Sequence, residues 1–152
     1  VFKGPRKEIG WFPIQTKPEA RKDPLLSHCP SEAMAFHWHG DTFDLPRESV
    51  HLASSERYSH QAFRIGDSAW GFQFHLEMTE AMIKDWVEIA EEKSPPQRVA
   101  DPPRSLAEKN PNPEWNACDI LTQTPCFLPE METLARKVFG EFASLAKRAI
   151  TR

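Results

Sequence analysis

The sequence predicts an α/β fold, and three observations predict it. Short aromatic-rich or alternating runs, of strand length, fill much of the first 75 residues. Apolar residues then recur at helical spacing from Met82 to Ala90. They do so again from Leu134 to Ile150. Strands followed by helices suit a sheet covered by helices. The 152 residues fit one domain, large enough to fold around a core without a disulfide or structural metal.

The elements follow in order. Glu8 to Gln15 reads as a strand, and Pro13 places it at a sheet edge. Ala33 to His39 reads as a strand ended by Gly40-Asp41. Val50–Ala53 and Gln61–Ile65 read as short alternating strands. Gly66-Asp67 precedes Ala69–His75, which completes a hairpin. Thr79 is placed to cap a helix, with Glu80 in its positive first turn. Met82, Ile83, Trp86, Ile89 and Ala90 form that helix's stripe, and Ser94-Pro95-Pro96 stops it. Ser94 to Pro113 holds six of the 14 prolines and reads as an irregular loop. A last helix opens at Pro129 or Glu130, its apolar stripe facing the core. One domain, 1–152, results: 1–93, a Pro-rich loop at 94–128, and a helix at 129–152.

Composition excludes several functions. The 19 Lys and Arg against 22 Asp and Glu leave a net charge of −3, unsuited to coating nucleic acid or an anionic membrane. No apolar run reaches the length of a membrane helix, and the start VFKGPRKEIG does not read as a signal peptide. Three cysteines, Cys29, Cys118 and Cys126, make no disulfide framework and fit a reducing, cytoplasmic setting. None has the sequence context of a nucleophile. The six glycines form no phosphate-cradling cluster, so no nucleotide cofactor is expected.

Two motifs carry chemistry. In His75-Leu76-Glu77 an extended backbone points residues i and i+2 the same way, so an imidazole and a carboxylate lie side by side. The carboxylate then fixes the ring's tautomer and frees the other nitrogen to accept a proton. A purely structural His–Glu pair is the competing reading. The second motif is Phe36-His37-Trp38-His39-Gly40-Asp41. Two His at i and i+2 suit a metal pair completed by Asp41 or Glu77, or they are satisfied core groups. No H-E-x-x-H or C-x-x-C supports the metal, and none is expected.

Five ordered blocks supply more. KGPRKEIGW (3–11), FHWHGDTFDLP (36–46), LASSE (52–56), QAFRIG (61–66) and WGFQFHLEMT (70–79) together resemble a class I glutamine amidotransferase of the stand-alone, GMP synthase-like group. The resemblance covers roughly residues 1–90, and the last helix fits as well. It implies a mostly parallel sheet with flanking helices. It implies amide hydrolysis by a Cys-His-Glu triad, with ammonia passed to an acceptor. His75 would be the base and Glu77 its orienter, while Gly40 and Asp41 would contact the amino-acid part of glutamine. Leu76 stands where many relatives have proline. The family's G-x-C-x-G nucleophile elbow has no counterpart here, so the chain reads as the C-terminal portion, inactive alone. Glutamine or a γ-glutamyl compound is the implied ligand, with an ammonia-accepting enzyme as partner. The competing readings are a non-catalytic binding or regulatory module and a metal-dependent hydrolase using His37, His39 and His75.

Overall fold

The structure is a computed structural model describing residues 1–93 and 115–150. Five strands come first: β1 (Phe2–Thr16), β2 (Glu32–Thr42), β3 (Ser49–Ser54), β4 (Ala62–Ile65) and β5 (Ala69–Phe72). A short 3-10 turn, Pro18–Lys22, lies between β1 and β2. Two helices follow, α1 (Glu80–Lys93) and α2 (Ala117–Ile150). The sheet order is β2-β1-β3-β4-β5. No described helix is long and apolar enough to cross a membrane.

The α/β class holds, but the mostly parallel sheet does not: every strand pair is antiparallel. The reason lies in the connections. A parallel pair needs a crossover of a dozen or more residues, usually a helix. Here no α-helix intervenes before β5, and the β4–β5 turn is closed by Gly66 at φ 54°. β1 is also not an outermost strand. It pairs with β2 from Phe2 to Gln15, yet meets β3 only at Gln15 and Thr16. Pro13 therefore sits where only one flank of β1 has a strand partner among the described residues, which is why a residue lacking N–H is tolerated.

Three boundaries also moved. β2 runs through Gly40 and Asp41 to Thr42. β5 stops at Phe72, and His75 makes only an isolated bridge to Phe36. The last helix begins at Ala117 and carries Pro125 and Pro129 inside it. Asn116 caps it, its side-chain oxygen accepting from the Asp119 N–H at 3.3 Å. Each internal proline deletes one helical hydrogen bond. The compensation is burial: Ile120, Thr124, Leu128, Met131, Leu134, Ala135 and Val138 form one covered stripe spanning both prolines. Burying such side chains contributes about 1.5–3 kcal/mol each, enough to outweigh the lost bonds. The far part of that stripe is not core, since Phe139, Phe142 and Ile150 are exposed. Of the loop expected at 94–128, residues 117–128 are instead the first part of α2, while the stretch 94–114 with the Ser94-Pro95-Pro96 stop lies outside the described residues.

α1 forms as its sequence dictates. The Met82 N–H donates to Thr79 Oγ1 at 3.3 Å, and Ile83 and Val87 bury one face. α2 lies against the β1–β2 pair. Trp11 packs edge-on against Phe36 at 5.3 Å and donates to Thr124 Oγ1 at 3.1 Å. Gly10 allows the approach. Its φ is 114°, and a Cβ there would stand 3.0 Å from Ile120 Cγ1. Gly10→Ala should therefore destabilise the fold by about 1–3 kcal/mol through backbone strain and displacement of α2. Urea unfolding of the two proteins, compared at equal slope, checks this; an unchanged midpoint would contradict the packing described.

Candidate functional site

The His–Glu pair forms as the spacing predicts. His75 Nδ1 lies 2.6 Å from Glu77 Oε1, with the two side chains one-quarter and half exposed. The other carboxylate oxygen, Oε2, accepts the Leu76 N–H at 3.0 Å, so Glu77 is held at both oxygens. Partial burial of Glu77 acts to raise its pKa. The His75 hydrogen bond and the backbone donors outweigh that and lower it, so the carboxylate stays charged. The segment carrying the pair is fixed at three points. The His75 N–H donates to the Phe36 carbonyl at 2.8 Å, and the Gln73 N–H to the Gln61 carbonyl at 2.9 Å. Gln73 Nε2 donates to the Asp41 carbonyl at 2.6 Å. The His75 ring stands edge-on to Trp86 of α1 at 5.3 Å, interplanar angle 89°. The pair lines a cavity of about 310 Å³ with Phe72, Phe74, Val138 and Phe139.

Gly40 and Asp41 sit at the end of β2. Asp41 is tied to His75's segment only through its backbone carbonyl and Gln73, while its carboxylate pairs with exposed Lys3 at 3.1 Å. A Cβ on Gly40 would press on the Lys7 side chain.

The second motif does not join the first. His37 and His39 come together with Glu8 of β1, not with His75, Asp41 or Glu77. The register explains it: Glu8 is paired with His39 across β1–β2, and His37 lies two residues back on the same face. Glu8 Oε2 is 3.2 Å from His37 Nδ1 and 3.3 Å from His39 Nε2. Ser55 Oγ donates to Glu8 Oε1 at 2.8 Å, and Gln61 Nε2 to Glu8 Oε2 at 2.8 Å. Glu8 is 1% exposed; His37 and Gln61 are fully buried. Burial by itself would raise the Glu8 pKa, but its interactions with His37, His39 and Ser55 bring it down to about 2. Burial lowers the His37 pKa against the pull of Glu8.

Sequence reasoning missed Glu8, Ser55, Gln61 and Trp86. The first three stand inside the five blocks, but nothing in a strand pattern says which polar residues meet. None of the thiols takes the place of a nucleophile. Burial raises Cys29 to about 11, so it stays protonated. Cys118 and Cys126 are exposed on α2. Among the described residues no thiol bonds to His75.

A histidine held by a carboxylate beside a cavity is an arrangement able to move a proton. No family model matches the chain. It is 30% identical over 135 residues to the glutamine amidotransferase-like protein YfeJ of Salmonella typhimurium, covering 89% of this chain and 55% of that protein. Its fold matches a glutamine amidotransferase of Thermotoga maritima with TM-score 0.72 and 26% identity, covering 93% of this chain and 53% of that one. It matches a glutamine amidotransferase of Methylobacillus flagellatus with TM-score 0.74 and 28% identity, covering 94% and 54%. The chain is thus similar in sequence and in fold to glutamine amidotransferases, and it spans about half the length of the relatives it matches.

The buried network makes stability depend on acid. Unfolded Glu8 titrates near 4.5 and folded Glu8 near 2, so its contribution is intact above about 4.5 and lost as pH falls towards 2. Folded His37 titrates below its unfolded 6.5, so the unfolded chain takes up that proton first and stability starts to fall below about 6.5. Urea unfolding with chelator present should give a lower midpoint at about pH 5 than at pH 7.5, and lower again at about pH 3.5. A midpoint independent of pH over that range would contradict the network.

Proposed function

We propose that this chain carries the His–Glu part of a glutamine amidotransferase site, acting on glutamine or a γ-glutamyl amide. One observation carries the reading: the 2.6 Å His75–Glu77 bond in the lining of a cavity. With Nδ1 held by Glu77, Nε2 is the nitrogen left to take a proton from a thiol nucleophile and return it to the leaving ammonia. Glu77 orients the ring and stabilises the imidazolium that forms. Gly40 and Asp41 are proposed to meet the amino-acid end of glutamine, a place consistent with the Gln73 link to His75's segment. The ammonia would pass to an acceptor, on the same protein or a partner enzyme. The nucleophile is expected from the half of the relatives' length that this chain does not match.

The test is ammonia release from glutamine by a polypeptide of the relatives' length that includes a nucleophilic cysteine. His75→Ala should lower turnover about 10²–10⁴-fold, and Glu77→Gln should cost less. His51→Ala and His60→Ala should be mild, because their ring nitrogens only meet the carbonyls of Ala53 and Phe43. Damage by His60→Ala equal to that by His75→Ala, with folding intact, would reject the assignment. The second reading, a binding module without catalysis, is favoured by the lack of any thiol bonded to His75 among the described residues. The 152-residue chain alone should release no ammonia. Release by that chain, abolished by Cys29→Ser, Cys118→Ser or Cys126→Ser, would overturn the assignment of the nucleophile to another segment.

A further inference from the structure

We propose that Glu8, His37 and His39 form a binding site for one divalent cation of the zinc class, apart from the His75–Glu77 pair. Three donor atoms converge there: Glu8 Oε2, His37 Nδ1 and His39 Nε2. Their separations are 3.2 Å, 3.3 Å and 3.3 Å. A tetrahedral zinc ion with bonds of about 2.0–2.1 Å sets its ligand atoms roughly 3.3–3.4 Å apart. The triangle is therefore one face of a zinc tetrahedron, already drawn to size. Two imidazoles and a carboxylate are the ligand set that borderline ions take; magnesium and calcium prefer oxygen alone.

Proton placement at His39 fits the same reading. Its Nδ1 lies 3.3 Å from the Asp41 carbonyl, which can only accept, so that nitrogen carries the proton. Nε2 is then the His39 nitrogen that faces the centre of the triangle. An imidazole ligand that donates its far N–H to a backbone carbonyl is the usual outer-shell arrangement around zinc. The carboxylate is steered likewise: Ser55 Oγ holds Oε1 and leaves Oε2 facing both rings. His37 would coordinate through Nδ1, which leaves its proton on Nε2, a buried atom with no hydrogen-bond partner among the described residues.

A fourth donor stands within reach. Gln61 Oε1 is a buried acceptor with no hydrogen-bond partner, while its Nε2 sits 2.8 Å from Glu8 Oε2 and 3.5 Å from His39 Nε2. Turning the amide over exchanges the two atoms, a choice set by the surroundings of the group. Oε1 would then stand about 2.8 Å from Glu8 Oε2 and 3.5 Å from His39 Nε2, near enough to serve as a fourth donor after a small shift. Only His39, at 10% side-chain exposure, offers a route for exchange. Such an ion would tie β1 and β2 to the residue before β4, and its role would be structural.

The test uses the 152-residue chain after chelator treatment, with Co²⁺ as the probe. One equivalent should bind with the intense visible absorption of tetrahedral cobalt, and Zn²⁺ should displace it. Zn²⁺ should raise the thermal unfolding midpoint in a concentration-dependent way. His39→Phe, at the rim of the cluster, should weaken Co²⁺ binding roughly 100-fold, whereas His28→Asn should leave it unchanged. Should His39→Phe fail to fold, X-ray absorption of the zinc-loaded wild type decides, with two imidazoles and oxygen expected and no sulfur. Absence of tetrahedral absorption, no change in midpoint, sulfur ligation, or full binding by folded His39→Phe would each overturn the proposal. None of these measurements depends on amidotransferase activity, so this proposal and the functional one stand or fall separately.

Discussion

The ionised carboxylate of Glu8, enclosed on all sides, is the constraint that the rest of the structure accommodates. A buried charge is tolerated only when its lone pairs are taken up by donors. Here the donors come from β2 through His37, from just past β3 through Ser55, and from the residue before β4 through Gln61, with His39 Nε2 alongside at 3.3 Å. Each lies on a different stretch of chain, so satisfying one carboxylate fixes how three strands and a loop meet. The antiparallel register of β1 and β2 is specified by the same atoms. A slip of one residue would turn Glu8 to the opposite face and leave both the charge and two imidazoles unpaired. Apolar packing around the network, with Phe12 and Phe74 against His37 and Tyr58 against His39, keeps it dry.

This polar centre also reaches the His–Glu pair through the backbone. Gln61 bonds Glu8 with its side chain and receives the Gln73 N–H at its carbonyl. Phe36, next to His37, receives the His75 N–H. The segment 73–77 therefore does not need strand pairing to be rigid. It hangs from two points of the sheet and is backed by Trp86, which itself packs on Trp38. These contacts hold the His75 ring in one orientation and leave its side chain one-quarter exposed.

A second buried carboxylate performs the corresponding task at the other end of the sheet. Asp23 accepts from the N–H groups of Leu25 and Leu26, from Arg64 at 2.9 Å and from the Trp70 indole. It fastens the turn after β1 to the β4–β5 hairpin. Between these two centres lies the apolar contact of α2 with β1 and β2, from Trp11 and Phe36 to Ile120 and Leu128. The helix survives two internal prolines because that contact, and not its own hydrogen bonding, stabilises it.

By itself the sequence determined the local chemistry. The i, i+2 spacing of His75 and Glu77 placed an imidazole beside a carboxylate, although the chain bends at Leu76 and Glu77 and the pair does not sit on a strand. The Thr79 cap and the Met82–Ala90 stripe determined α1, and the five blocks pointed to the glutamine amidotransferases, to which sequence and fold comparison then showed similarity. Strand direction was also written there, in the lack of a helix between successive strands, but the family resemblance outweighed that sign. What only the tertiary structure decided is which distant polar groups share one carboxylate. His37 and His39 turned to Glu8, 29 and 31 residues away, because strand pairing brings together residues whose separation along the chain carries no local signal. The start of α2 was decided the same way. Two prolines disfavour a helix locally, and burial of a stripe from Ile120 to Val138 overrides that local preference, a free energy that exists only once the sheet is present to be covered.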